Sequence, residues 1–147
     1  IEIGSTAKTW GHHGAAKLLA GIIHRGLGLD GSLGLGQWEG DGKVVVTLGG
    51  GHYAPRGNLL ASHDHVWIGH MLATYALPFS KDENDNVTGM WENSIRKAIS
   101  STKAAFPGGE IVCSMDKKAF KGWQRQAIRG LLEELGVPLL RSAEIIG

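Results

Sequence analysis

Apolar positions along this chain follow two rhythms. Ala15, Leu18, Leu19, Ile22 and Ile23 recur at three-and-four spacing, which predicts a helix with one buried face. Trp91, Ile95, Ala98, Ile99 and Thr102 repeat that spacing and stop before Pro107, Gly108 and Gly109, which cannot continue a helix. A third set, Trp123, Ala127, Leu131, Leu132 and Leu135, closes at Gly136, a left-handed cap with Pro138 just beyond. Between these stand segments that read as strands, at residues 44–48, at 63–72 with Val66, Trp67 and Ile68 as its core, and at 110–115. Their β-branched side chains suit a pleated, buried surface. Residues 1–3 and 139–140 read as shorter strands, and residues 57–63 as a short helix with Pro55 ahead of it fixing φ.

Strands alternating with helices predict an α/β fold, a three-layer arrangement of a mixed or parallel sheet with helices on both faces. Ligands in such sheets sit beyond the carboxyl ends of the strands. That rule gathers Ser5 and Thr6, the turn at residues 49–56, His70 and the turn at residues 116–121 into one candidate site. The glycine-rich connection at residues 26–42 contains G-x-G-x-x-G at Gly26, Gly28 and Gly31. A helix precedes it and a strand follows, the reverse of a dinucleotide fingerprint, so it reads as a flexible surface loop. Residues 81–86, KDENDN, read as a solvated turn.

Composition narrows the class without naming a chemistry. With 147 residues, 42% hydrophobic and 20% charged, the chain suits a single α/β domain with a real core rather than a disordered or membrane protein. It opens on Ile1 rather than methionine, which suggests a piece of something longer. Cys113 is the sole cysteine and lies in an apolar run, so a buried thiol in a reducing, cytoplasmic compartment is expected. A net charge of +1 does not advertise nucleic-acid binding, yet it leaves room for a local basic patch.

The sharpest chemical signal is KVVVTLGGGHYAPR at residues 43–56. Gly49, Gly50 and Gly51 remove every Cβ at a strand exit, which permits positive φ and close approach of a ligand to backbone N–H groups. His52, Tyr53 and Arg56 follow at once, a titratable base, a phenol and an anion-binding fork. A second basic set, Lys117, Lys118, Lys121 and Arg125, surrounds a helix start, where cations oppose the macrodipole unless an anion sits nearby. His52, His63, His65 and His70, with Asp64, raise a zinc reading, although their spacing fits no established signature. A histidine-rich surface or satisfied core rings would explain them without a metal.

The strings IEIGST at residues 1–6, GGGHYAPR at 49–56, GHML with YAL at 69–77, and Asp116, Lys118 and Lys121 before the last helix resemble the archaeal and plant type of D-aminoacyl-tRNA deacylase. The resemblance extends over essentially the whole chain and corresponds to the C-terminal half of that family. It implies a phosphorylase/hydrolase-like fold, similar to bacterial peptidyl-tRNA hydrolase. It also implies hydrolysis of the ester joining a D-amino acid to the tRNA 3′ end, with zinc as a requirement. In plants the family is linked to protection of charged tRNA from aldehyde damage. Two departures stand out: the family's N-terminal histidine-containing segment is missing, and the connection at residues 26–42 is longer than the archaeal form.

Such a reaction needs an activated water, a pocket for the amino acid and a cradle for the tetrahedral oxyanion. Backbone N–H groups at Gly49, Gly50 and Gly51 are expected as oxyanion or phosphate donors, and Ser5 and Thr6 as substrate contacts. His52 is expected as general base or zinc ligand, with His70 as the second metal candidate. Tyr53 would meet the terminal adenosine, and Arg56, Lys118 and Lys121 the acceptor-stem phosphates. The alternatives are a tRNA-binding module without its own catalysis, and a nucleoside or nucleotide hydrolase or phosphorylase using the same glycine turn.

Overall fold

The computed structural model describes residues 3–147, which form two compact units meeting in sequence between Glu39 and Gly40. In the first, a one-turn helix α1 (Ala7–Trp10) is followed by α2 (His13–Gly26). Thr6 opens α1 by accepting from Thr9 and Trp10, and the His12 ring opens α2, its Nδ1 accepting from the Ala15 N–H at 3.1 Å. The face of α2 predicted to be buried is not, since Leu18 stays 65% and Ile22 50% exposed. One helix and a short turn offer no second layer inside this unit for that face to pack on. Residues 27–42 form neither helix nor strand, as the glycine-rich composition predicts. Of the strand expected at residues 1–3, the first two positions lie outside the described residues and Ile3 is in a bend.

The second unit holds the sheet. In chain order its elements are β1 (Lys43–Leu48), α3 (Pro55–Ala61), β2 (Val66–Leu72), the two-residue strands β3 (Ser80–Lys81) and β4 (Val87–Thr88), α4 (Trp91–Ala105), β5 (Glu110–Met115), α5 (Gly122–Glu134) and α6 (Ser142–Ile146). β1, β2 and β5 form a parallel sheet in the order β2-β1-β5, while β3 and β4 make a separate antiparallel pair. Residues 139–140 contribute a single bridge, Leu139 to Cys113, rather than a full strand. Neither α6 nor the β3–β4 pair is visible in the apolar spacing, because both are too short to show a period.

Helices cover both faces. Val45, Val66 and Val112 of the sheet pack with Leu60 of α3 and Ile145 of α6. Val44 and Val46 point the opposite way, as successive strand residues must, toward the face that α4 covers with Ile95, Ala98 and Ile99. Next to α4 lies α5, tied by Arg96 to Glu134 at 2.8 Å, with Phe79 stacked on Trp91 and edge-on to Trp123 and Phe120. The β1–β2 register slips between Val45 and Val46, so that Val45 faces Ile68 and Val46 faces His70. Gly69 is the skipped residue, and a Cβ there would collide with Thr102 of α4. Its missing side chain lets helix and strand close together. The α/β expectation and all three long helices hold. No helix among the described residues is long and apolar enough to cross a membrane.

Candidate active site at the carboxyl edge of the sheet

Beyond Leu48 the chain turns sharply in left-handed geometry, with φ of 88° at Gly49 and 91° at Gly50. Gly49 is there for packing, because a Cβ on it would collide with Phe120 and press on Ala119. Its N–H donates to the Leu72 carbonyl at 2.7 Å, which continues the sheet. Gly49 is therefore no ligand donor, contrary to expectation. The Gly50 carbonyl accepts from both the N–H and the hydroxyl of Thr74 at 3.0 Å, and the Gly51 carbonyl accepts from Ala54. The N–H groups of Gly50, Gly51, His52 and Tyr53 make no hydrogen bond to any described residue. Four successive donors are thus presented at a strand exit, an arrangement suited to anions.

The turn ends in Ala54, held at φ 40°, and passes into α3 with Pro55 in its first turn. Arg56 follows on α3, and its Nε lies 3.4 Å from Asp116 Oδ1. Asp116 sits just past β5, where its N–H donates to the Leu48 carbonyl and its Oδ1 accepts from the Lys118 N–H at 3.1 Å. The position a Gly50 Cβ would take lies 3.9 Å from Asp116 Oδ2, so the carboxylate's second oxygen faces the glycine turn. Gly50, Gly51, Thr74, Tyr75, Asp116 and Lys118 line an open pocket of about 590 Å³ directly beyond the three strand ends.

Several expected residues meet here and others do not. Gly50, Gly51 and Lys118 share the pocket, and Arg56 borders it through Asp116. His52 and Tyr53 are exposed on the turn, their rings edge to face at 5.3 Å. Lys121 lines none of these hollows and instead caps α5, its N–H donating to Gln124 Oε1 at 2.7 Å. Ser5 and Thr6 belong to the first unit, and no described strand delivers them to a strand end. Sequence reasoning gave no role to Asp116, Thr74 or Tyr75, although it gathered the turn that holds Asp116 into the site. Asp116 had a signal, its place in the turn after a predicted strand, whereas Thr74 and Tyr75 had only their position after β2.

The histidines do not assemble a metal centre. His70 lies two residues before the end of β2, with Nδ1 at 2.9 Å from the hydroxyl of Thr102. That hydroxyl is fully buried and donates its one proton to the Ala98 carbonyl at 2.8 Å, so the His70 Nδ1–H must be the donor. Only Nε2 of His70 is left for any other partner. His63 and His65 precede β2 and so lie at its amino end, about 20 Å of strand away from the glycine turn. Among the described residues no group of three or more His, Cys, Asp or Glu side chains is placed to hold a metal ion. The residues present therefore do not fit the zinc that the family resemblance implies.

What the site can do is bind an anion and move a proton. The N–H row can hold an oxyanion, His52 can accept a proton, and Asp116 fixes Arg56 at the rim. Arg125 donates to the carbonyls of Lys117 at 3.0 Å and Phe120 at 2.8 Å, which pins the basic turn beside the pocket.

The family model for D-aminoacyl-tRNA deacylase matches residues 1–140. A D-aminoacyl-tRNA deacylase of Arabidopsis thaliana is 44% identical over 144 residues, covering 91% of this chain and 45% of the relative. Its namesake in Pyrococcus abyssi is 31% identical, over 96% of this chain and 44% of the relative. The chain thus spans about half the length of the curated relatives it matches. A crystal structure of a conserved protein of unknown function superposes with a TM-score of 0.61 over 97% of this chain and 42% of that one, at 22% identity, a likeness of fold alone. On its family match and these relatives, the chain belongs to the D-aminoacyl-tRNA deacylase family.

Proposed function

We propose that this chain hydrolyses the ester between a D-amino acid and the 3′-terminal ribose of tRNA, releasing free tRNA and the D-amino acid. The observation that carries this reading is the row of unpartnered N–H groups from Gly50 to Tyr53, set beside His52 and Asp116 beyond the strand ends. Family membership supplies the substrate class.

In this reading His52 takes a proton from water as the oxygen attacks the ester carbonyl carbon. The carbonyl oxygen gains charge, and the N–H groups of Gly50 and Gly51 bind it more tightly in the transition state than in the ground state. Collapse breaks the bond to the ribose oxygen, which leaves with the proton that His52 carries. Tyr53, 80% exposed, presents a flat ring for the terminal adenine. Arg56 and Lys118 attract the neighbouring phosphates. Of the two metal candidates, His70 spends one ring nitrogen on Thr102 whereas His52 has both free of hydrogen bonds among the described residues; with no three-donor set among those residues, no step here runs through metal. The cytoplasm, where tRNA is charged and where the buried thiol of Cys113 stays reduced, is the compartment this reading implies.

The test is single-turnover deacylation of matched D- and L-aminoacyl-tRNA by the chain and by its His52→Ala variant. The expected result is D-selective release that falls about 100-fold in the variant, within the range of general acid–base contributions. Undiminished release by the variant overturns the role of His52. Equal release of both enantiomers, or tRNA binding without release, overturns the proposed reaction.

A further inference from the structure

Behind Arg56, a second and larger hollow of about 770 Å³ runs between the Lys117–Ala119 turn, α5 and α6. Its walls carry Arg56, Lys117, Lys118, Arg129 and Arg141 against the single carboxylate of Glu144. Glu144 is already engaged, accepting from the Arg141 Nε and N–H at 2.9 and 2.8 Å. Arg141 first, with a contribution from Lys117, holds that carboxyl below its ordinary range. Lys117, Lys118 and Arg129 form no ion pair among the described residues, and all three are exposed. Cations gathered in a groove repel one another unless a polyanion neutralises them.

Two residues join this groove to the candidate active site. Lys118 lines both hollows, and Arg56 lies between the groove and the small hollow under Gly49 and Gly50. An RNA whose 3′ end enters the glycine turn would leave past Lys118, with its next phosphates in the groove. We infer that the Lys117–Arg129–Arg141 groove binds the backbone phosphates of the tRNA acceptor stem, and that this surface, not Lys121, recognises the nucleic acid. This inference rests on the proposed deacylase reading. The groove's charge comes mainly from lysines and from arginines with exposed side chains, a composition that reads backbone rather than base sequence.

The experiment compares the wild-type chain with Lys117→Ala/Arg129→Ala and with Lys117→Glu. It measures tRNA affinity across salt, and Michaelis parameters on D-aminoacyl-tRNA and on a D-aminoacyl-adenosine lacking the stem. For the double variant the expected result is a KM for tRNA raised about tenfold or more with kcat kept, and a log–log salt slope shallower by about 1.5 to 2, as loss of two phosphate contacts requires. The effect should be confined to the substrate that carries the stem, and Lys117→Glu, which changes the groove's charge by the same two units, should reproduce it. Unaltered KM and slope in both variants, with an active wild type, overturn the groove while leaving the deacylase reading intact. Equal losses on the stemless substrate overturn it as well, since the residues would then act on the ester site. A wild type that releases no D-amino acid from either substrate overturns the deacylase reading itself. Duplex DNA of equal length competing as well as tRNA shows a general polyanion patch and also sinks the inference.

Discussion

Asp116 and Arg56 meet at 3.4 Å across the carboxyl edge of the sheet, one just past β5 and the other in the first turn of α3. The pair joins the basic turn to the glycine turn. It also gives the Arg56 guanidinium a fixed direction, although the side chain is 55% exposed. For Asp116→Asn we expect little change in stability, under about 1 kcal/mol, because Arg56 is more than half exposed and Asn keeps the Oδ1 that accepts from Lys118. Activity should fall by about tenfold as Arg56 loses its anchor, with Glu restoring part of it. Thermal melting alongside kcat/KM separates the two effects.

Gly49 and Gly51 should respond oppositely to alanine. At Gly49 the new methyl meets Phe120 in a backbone already at φ 88°, so a loss of about 2 kcal/mol or more is expected. Nothing lies within 4 Å of a Cβ at Gly51, so Gly51→Ala should fold with near-native stability. Urea titration of both variants checks this, and equal destabilisation would refute the assigned roles.

His70 should behave as a structural residue. Thr102→Val keeps the shape of the buried hydroxyl but strips the Nδ1–H of its acceptor, at a cost of about 1–3 kcal/mol. Metal analysis of the chain after dialysis against chelator and resupply of zinc should find well under one ion per chain, unchanged by His70→Ala. Stoichiometric zinc that disappears in His70→Ala would reinstate it as a ligand.

Cys113 should make stability fall at alkaline pH. Burial pushes its thiol up from 9.0 to about 12, so above pH 9 the unfolded chain loses a proton that the folded one keeps. Stability from this group is flat below pH 9 and declines between about 9 and 12, by at most about 1.4 kcal/mol per pH unit. Cys113→Ala should flatten that decline in denaturant titrations between pH 8 and 11. Alkylation of the native chain at neutral pH should be slow and should accelerate on unfolding.

The long elements were legible because their side chains repeat. Ile95, Ala98, Ile99 and Thr102 read as one buried face of α4, and they are buried together. The run at residues 44–48 read as a strand buried on both faces, and it is the central strand. Apolar spacing in α2 was equally clear, yet Leu18, Ile22 and Ile23 are exposed, since spacing shows which side is apolar and not what covers it. At the site, sequence order singled out the glycine turn and Lys118. It could not separate Gly49, whose N–H the sheet consumes, from Gly50 and Gly51, whose N–H groups stay open.

What the sequence alone determined is the three strands of the parallel sheet, the three long helices, the strand-exit position of the glycine turn and the family. Those follow from short-range periodicity, from the absence of Cβ and from strings of residues. Tertiary structure decided which side chains meet. Asp116 reaches Arg56 because β5 pairs with β1 in parallel, so the exits of both strands fall at one edge. His70 leaves the site because the slip at Gly69 turns it onto Thr102. Register and pairing act between residues dozens of positions apart, and no local pattern encodes them.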